Sequence, residues 1–90
     1  MKLSLVQDQA IAARMALIVG ADNFDRLFRG IQFHEFDGKV LYVYAADEYR
    51  AAEIEDTFAL YISTIAGAIL KREVPIVMVF PVKLKQEPDV

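Results

Sequence analysis

The stretch KVLYVYAADEYRAAEIEDTF, residues 39–58, decides the fold because it changes period halfway through. Its first part is rich in β-branched and aromatic residues and alternates nearly enough to predict a strand. Asp47 then offers a helix cap, and from there apolar residues recur at helical spacing. Ile54, Phe58, Ile62, Ile65 and Ile69 follow one another at intervals of four, four, three and four. At about 100° per residue they form one narrow stripe, which predicts a core helix from Asp47 to about Lys71. Beyond it, Val74–Val82 reads as a last strand with Pro75 and Pro81 near its ends, positions that suit a sheet edge. A strand joined through a helix to a further strand predicts a crossover and a parallel pairing.

Upstream, a first helix is expected from about Ser4 to Val19. Val6, Ala10, Ala13 and Leu17 give one helical face, and Ile11, Met15 and Ile18 widen it. Gly20 suits the end of that helix. Asp22 is expected to cap a short second helix carrying Phe24, Leu27 and Phe28, which Gly30 stops. Asp37-Gly38 then signals a hairpin. A two-residue Asp-Gly loop would pair Phe36 with Lys39 and place Ile31, Phe33, Val40, Tyr42 and Tyr44 on one face. A three-residue loop would pair Glu35 with Lys39. It would put Ile31, Phe33, Leu41, Val43 and Ala45 inside, with Tyr42 and Tyr44 outside beside Gln32 and His34. The second is preferred, because it buries hydrocarbon and sets opposite charges across the strands. The resulting order is α-α-β-β-α-β: an α+β fold with a three-stranded mixed sheet and helices on one face. Residues 1–82 make the domain, and KLKQEPDV, residues 83–90, reads as a polar tail or the start of a linker.

The composition narrows the function. Ninety residues, 56% of them hydrophobic, make a single folded domain. A net charge of −3 disfavours nucleic acid as the main ligand. The absence of cysteine excludes disulfides and thiolate sites. The N-terminal apolar run is broken by Gln7, Asp8, Gln9 and Arg14, so it predicts an amphipathic helix rather than a signal peptide or membrane span. A cytoplasmic protein is expected. His34 is the single histidine, and its strand neighbour Glu35 should face the other way, so no catalytic pair forms there. The four glycines are dispersed, so no phosphate-cradling loop is present. No catalytic residue, metal or cofactor is expected, and the chain reads as a non-enzyme.

On a helical wheel centred on Phe58, Tyr49 falls about half a turn away, together with Leu60 and Gly67, with Asp56 close by. Tyr49 is therefore expected outside the core, among Asp47, Glu48, Glu53, Glu55 and Asp56. Acids at a helix start complement its dipole, by roughly 0.3–1 kcal/mol each, and that alone could account for them. An amphipathic aromatic in an acidic rim is also a common docking anchor.

With this pattern complete, the chain resembles the N-terminal domain of the bacterial chromosomal replication initiator DnaA. The resemblance covers about residues 3–82. It is carried by LSLVQDQAIAARMALIVGADNFDRLFRGI, residues 3–31, by VLYVYAADEY, residues 40–49, and by the long helix with VPIVMVF, residues 74–80. It implies a KH-like fold and a module that docks the replicative helicase and replication regulators and self-associates, with weak single-stranded DNA contact at most. It implies helicase-binding roles for Tyr49 and Asp47, another partner contact at Asn23, and a self-association position at Val6. The family's tryptophan at that last position is absent, its helix-two tryptophan stands as Leu27, and its cap proline as Ala46. A different reading takes Tyr42 and Tyr44 as base-stacking groups of a single-stranded nucleic-acid binder, or, with Val40, as a homodimer face.

Overall fold

The computed structural model describes residues 1–82, and the expected tail at 83–90 lies outside the described residues. Two helices are followed by a hairpin, a long helix and a final strand. They are α1 (Leu5–Val19), α2 (Ala21–Asn23) running into a π-type segment Phe24–Phe28, β1 (Gln32–Phe36), β2 (Val40–Ala45), α3 (Glu48–Leu70) and β3 (Ile76–Pro81). The sheet order is β1-β2-β3, with β1 and β2 antiparallel and β2 and β3 parallel. This is an α+β fold with a mixed three-stranded sheet. The helices pack on one sheet face and β3 forms an edge, which suits Pro75 just before it and Pro81 at its end.

The core is the seam between α3 and the sheet. Ala51, Ile54, Ile62, Ile65, Ala66 and Leu70 of α3 are buried, with Phe58 and Ile69 half-buried beside them. They meet Leu41, Val43 and Ala45 of β2 and Val77 and Val79 of β3, all buried. Each fully buried aliphatic side chain contributes roughly 1.5–3 kcal/mol. A second layer is aromatic. Phe24 stacks on Phe28 at 5.5 Å between centroids, and Phe28 meets Phe58 edge-on at 5.4 Å. That geometry suits the ring quadrupoles and wedges the π segment against α3.

Both ends of α3 are closed by specific chemistry. Asp47 accepts a hydrogen bond from the Arg50 N–H at 2.8 Å and pairs with the Arg50 guanidinium. At the other end Lys71 turns left-handed (φ 59°), and the Arg72 N–H folds back onto the Gly67 carbonyl at 3.1 Å. A β-carbon at Gly67 would lie 3.0 Å from the Arg72 carbonyl oxygen, so glycine permits this close return.

Two expectations for the first helices are corrected. The face of α1 formed by Val6, Ala10, Ala13 and Leu17 does not enter the core: Val6 is 75% and Leu17 84% exposed, and Ile18 is exposed too. The buried face carries Ile11 and Met15. It is selected by Asp8, whose carboxylate accepts the Phe33 N–H of β1 at 2.9 Å and so fixes the rotation of the helix. The helix begins where expected, with Ser4 as its cap in a reciprocal pair with Gln7. Asp22 does not cap α2, since that position is Gly20 and no side chain bonds there.

Neither expected hairpin register forms. Phe36 pairs with Leu41 and Glu35 with Tyr42, so Glu35 does not face Lys39. The Asp37 N–H donates to the Val40 carbonyl at 3.2 Å, leaving Gly38 and Lys39 as the loop. Gly38 takes the positive φ of 104° that favours glycine. A bulge at His34 shifts the register by one, so Phe33 and Phe36 are both buried and strict alternation of His34 and Glu35 is lost. The expected faces of β2 survive the shift: Leu41, Val43 and Ala45 point inward, and Tyr42 and Tyr44 lie on the other face. Residues 1–3 lie along the outer edge of β1, where the Leu3 N–H donates to the His34 carbonyl and the Phe36 N–H to that of Met1, both at 2.9 Å. This pairing covers an edge that would otherwise be open.

The rotation of α1 is testable by denaturant unfolding. Ile11→Ala should lower stability by about 2–5 kcal/mol, whereas Leu17→Ala should change it by less than about 0.5 kcal/mol. Equal losses would mean that α1 packs through its other face.

Candidate functional site

Strand β2 ends at Ala45, and two residues later Asp47 starts α3, so the beginning of α3 stands at the end of the sheet. Tyr49 lies in the first turn and is 65% exposed. With Ala52, Glu53, Glu55 and Asp56 it lines a shallow groove of about 690 Å³. Glu48 is exposed beside it, Glu53 is half-buried and Asp56 is exposed. Tyr49 is thus outside the core, as its place on the wheel predicted.

Asp47 and Asn23 are connected through two arginines. Asn23 donates to the Val19 carbonyl at 3.0 Å and accepts from the Arg26 guanidinium at 2.9 Å. The Arg50 Nε donates to the Arg26 carbonyl at 2.8 Å, and the Arg50 guanidinium pairs with Asp47. The end of α1, the π segment and the start of α3 are locked together in this way. Asn23 and Asp47 share one rim, and their side chains are engaged in building it. Glu55 also has a structural task, accepting the Val79 N–H of β3 at 2.8 Å. The contribution of Arg26 and Arg50 was not legible beforehand, because it depends on which face of the π segment meets α3.

Val6 and the tyrosine pair lie elsewhere. Val6 sits on the exposed face of α1 with Leu5 and Leu17, also exposed. Tyr42 and Tyr44 lie on the helix-free sheet face, in a row of rings. Tyr42 stacks near Phe80 at 6.4 Å, Tyr44 meets Phe80 at 6.1 Å, and His34 meets Tyr44 edge-on at 5.5 Å. Phe80 is the member missed from the sequence. Its signal was the alternation of Ile76, Met78 and Phe80 against buried Val77 and Val79. The nearby Asp37 carboxylate accepts the Val40 and Lys39 N–H groups at 2.8 and 2.9 Å and the Tyr42 hydroxyl at 3.1 Å. Those donors, Val40 first and then Lys39, hold the Asp37 carboxyl below its ordinary pKa. The same carboxylate raises the pKa of the Tyr42 phenol, chiefly by accepting a hydrogen bond from its hydroxyl.

Among the described residues, no cluster of three or more histidine, cysteine, aspartate or glutamate side chains is placed to hold a metal ion. No described helix is long and apolar enough to cross a membrane. The chain matches no protein-family model and no curated protein.

The hairpin carboxylate has a definite pH signature. Its folded pKa is depressed, so its stabilising effect is complete above the ordinary carboxylate pKa of about 3.9 and fades as pH falls through the lower folded value. Asp37→Asn should therefore destabilise the fold by a constant amount between about pH 5 and 8, and the difference from wild type should shrink below about pH 4. A difference that stays constant down to about pH 2 would show that the charge is not what the hairpin uses.

Proposed function

We propose that this chain is a non-catalytic docking module acting in initiation of bacterial chromosome replication. In this reading it captures the replicative helicase and replication regulators and supports self-association, in the cytoplasm and without a cofactor. The observation that carries the proposal is the exposed phenol of Tyr49 in its acidic groove, held on a rim that Asp47, Arg50, Arg26 and Asn23 brace. A large amphipathic ring on a rigid helix loses little entropy when a partner covers it, which makes it an economical anchor. The resemblance to the initiator's N-terminal domain adds the partner class and the KH-like comparison. The element order of two helices, two strands, a helix and a strand is compatible with it. Self-association is assigned to Val6 with its exposed neighbours Leu5 and Leu17.

A second reading rests on the ring row of the open sheet face. Tyr42, Tyr44 and Phe80 could stack the bases of single-stranded nucleic acid, at about 1–3 kcal/mol per base. It has little charge support. Lys39 lies on the adjoining loop, Arg72 is engaged over the Phe36 ring at 5.6 Å, and Lys83 and Lys85 lie outside the described residues.

Tyr49→Ala should abolish capture of the replicative helicase in a pull-down while leaving the thermal midpoint within about 2 °C of wild type. Retained capture removes the proposed anchor. Under the second reading Tyr44→Ala would instead weaken binding of a labelled oligonucleotide at low salt, by fluorescence anisotropy.

A further inference from the structure

The outer face of α3 carries an ordered pattern of its own. Tyr49, Glu53, Asp56, Leu60, Thr64, Gly67 and Lys71 follow at intervals of four, three, four, four, three and four, which keeps them on one stripe. That sequence of intervals is the same in both directions about Leu60. Tyr49 and Lys71 each lie eleven residues from it, Glu53 and Gly67 seven, Asp56 and Thr64 four. Charge along the stripe is divided about the same point, with Glu53 and Asp56 toward the N-terminus and Lys71 at the other end. Leu60, at the centre, is 77% exposed, a large apolar side chain on the solvent side of the helix.

We propose that α3 pairs with α3 of a second copy, antiparallel about a two-fold axis at Leu60. In that arrangement Leu60 meets its own mate, and each acidic half lies along the basic end of the other helix. Helical side chains lean toward the N-terminus, so Tyr49 projects past the level of Lys71 of the second copy. A groove of about 660 Å³ lies at that end, with Thr64, Gly67, Lys71, Arg72, Glu73 and Pro75 among its lining residues. Exposed Pro75 gives it an apolar edge and exposed Lys71 a cation, which suits a phenol ring and the carboxylates that flank it. The second copy is thus selected by charge, by spacing and by shape at once. Both ends of one helix face are used, so the interface is self-complementary and closes as a dimer. The contact is one helix face about 34 Å long, small for a stable interface, so micromolar or weaker affinity and a fall with added salt are expected.

The proposal goes beyond the docking reading and assigns Tyr49 a second use: the dimer covers it, so a partner that needs Tyr49 must open the dimer. The test is sedimentation of the full chain carrying Val6→Glu, which removes the α1 face as a competing contact. The expected result is a monomer–dimer equilibrium with nothing larger, weakened by salt. Glu53→Lys alone and Lys71→Glu alone should each weaken it about tenfold or more, because each reversal is felt at both ends. An equimolar mixture of the two variants should restore a heterodimer, since both of its ends are again opposite in sign. Circular dichroism of each variant checks that it is folded. A monomer at every concentration to about 1 mM, open-ended species, or a mixture no better than its components would each overturn the pairing.

Discussion

A helix of 23 residues with one dry side and one wet side sets the terms for the whole molecule. Isoleucines 54, 62 and 65 can leave water only by lying on Leu41, Val43, Val77 and Val79, so α3 must run across the sheet and β3 must return beside β2. The parallel pairing, the edge position of β3 and the outward display of Tyr49 all follow from that one contact. The capping at either end fixes its limits. Asp47 sets where the helix starts, and Gly67 allows the chain to fold back over its last turn. The start matters most for function, because it determines that Tyr49 falls on the wet side.

The rest of the fold is fitted around this seam by a few polar contacts that also close the sheet. Asp8 and residues 1–3 occupy the outer edge of β1, and Glu55 caps a backbone N–H of β3. Each contact satisfies a backbone group that would otherwise be open to another chain. The outer edge of β1 is thereby covered, and the helix-free face of the sheet displays the rings of Tyr42, Tyr44 and Phe80. The α1 face and the α3 face are separate from it. Three exposed surfaces of different chemistry on so small a domain are what a docking module would need, and they can be told apart by single substitutions.

What could be read from the residues alone was decided by range. α3 was legible because its stripe is unambiguous and its cap adjacent. The inward face of β2 was legible because Tyr42 and Tyr44 alternate with purely hydrocarbon neighbours. The rotation of α1 was not, because apolar residues surround most of that helix and two faces fit the helical period equally well. The choice between them rests on Asp8 reaching Phe33, 25 positions away in sequence. The bulge at His34 was hidden for a similar reason. A register shift leaves no local mark when Phe33 and Phe36 are both large and apolar, and the edge pairing of residues 1–3 is non-local. At the candidate site, Tyr49 and its acids were visible from the helical wheel. The Asn23–Arg26–Arg50–Asp47 brace was not, since it joins elements whose packing no local pattern encodes.

The central claim is that α3 buries its isoleucine side and leaves the opposite side to solvent. Hydroxyl-radical footprinting at residue resolution, on dilute monomeric chain, tests it most directly. The account predicts rapid oxidation of Tyr49 and Leu60 alongside strong protection of Phe28, Ile54 and Ile62. Protection of Tyr49 to the level of Phe28 would contradict it.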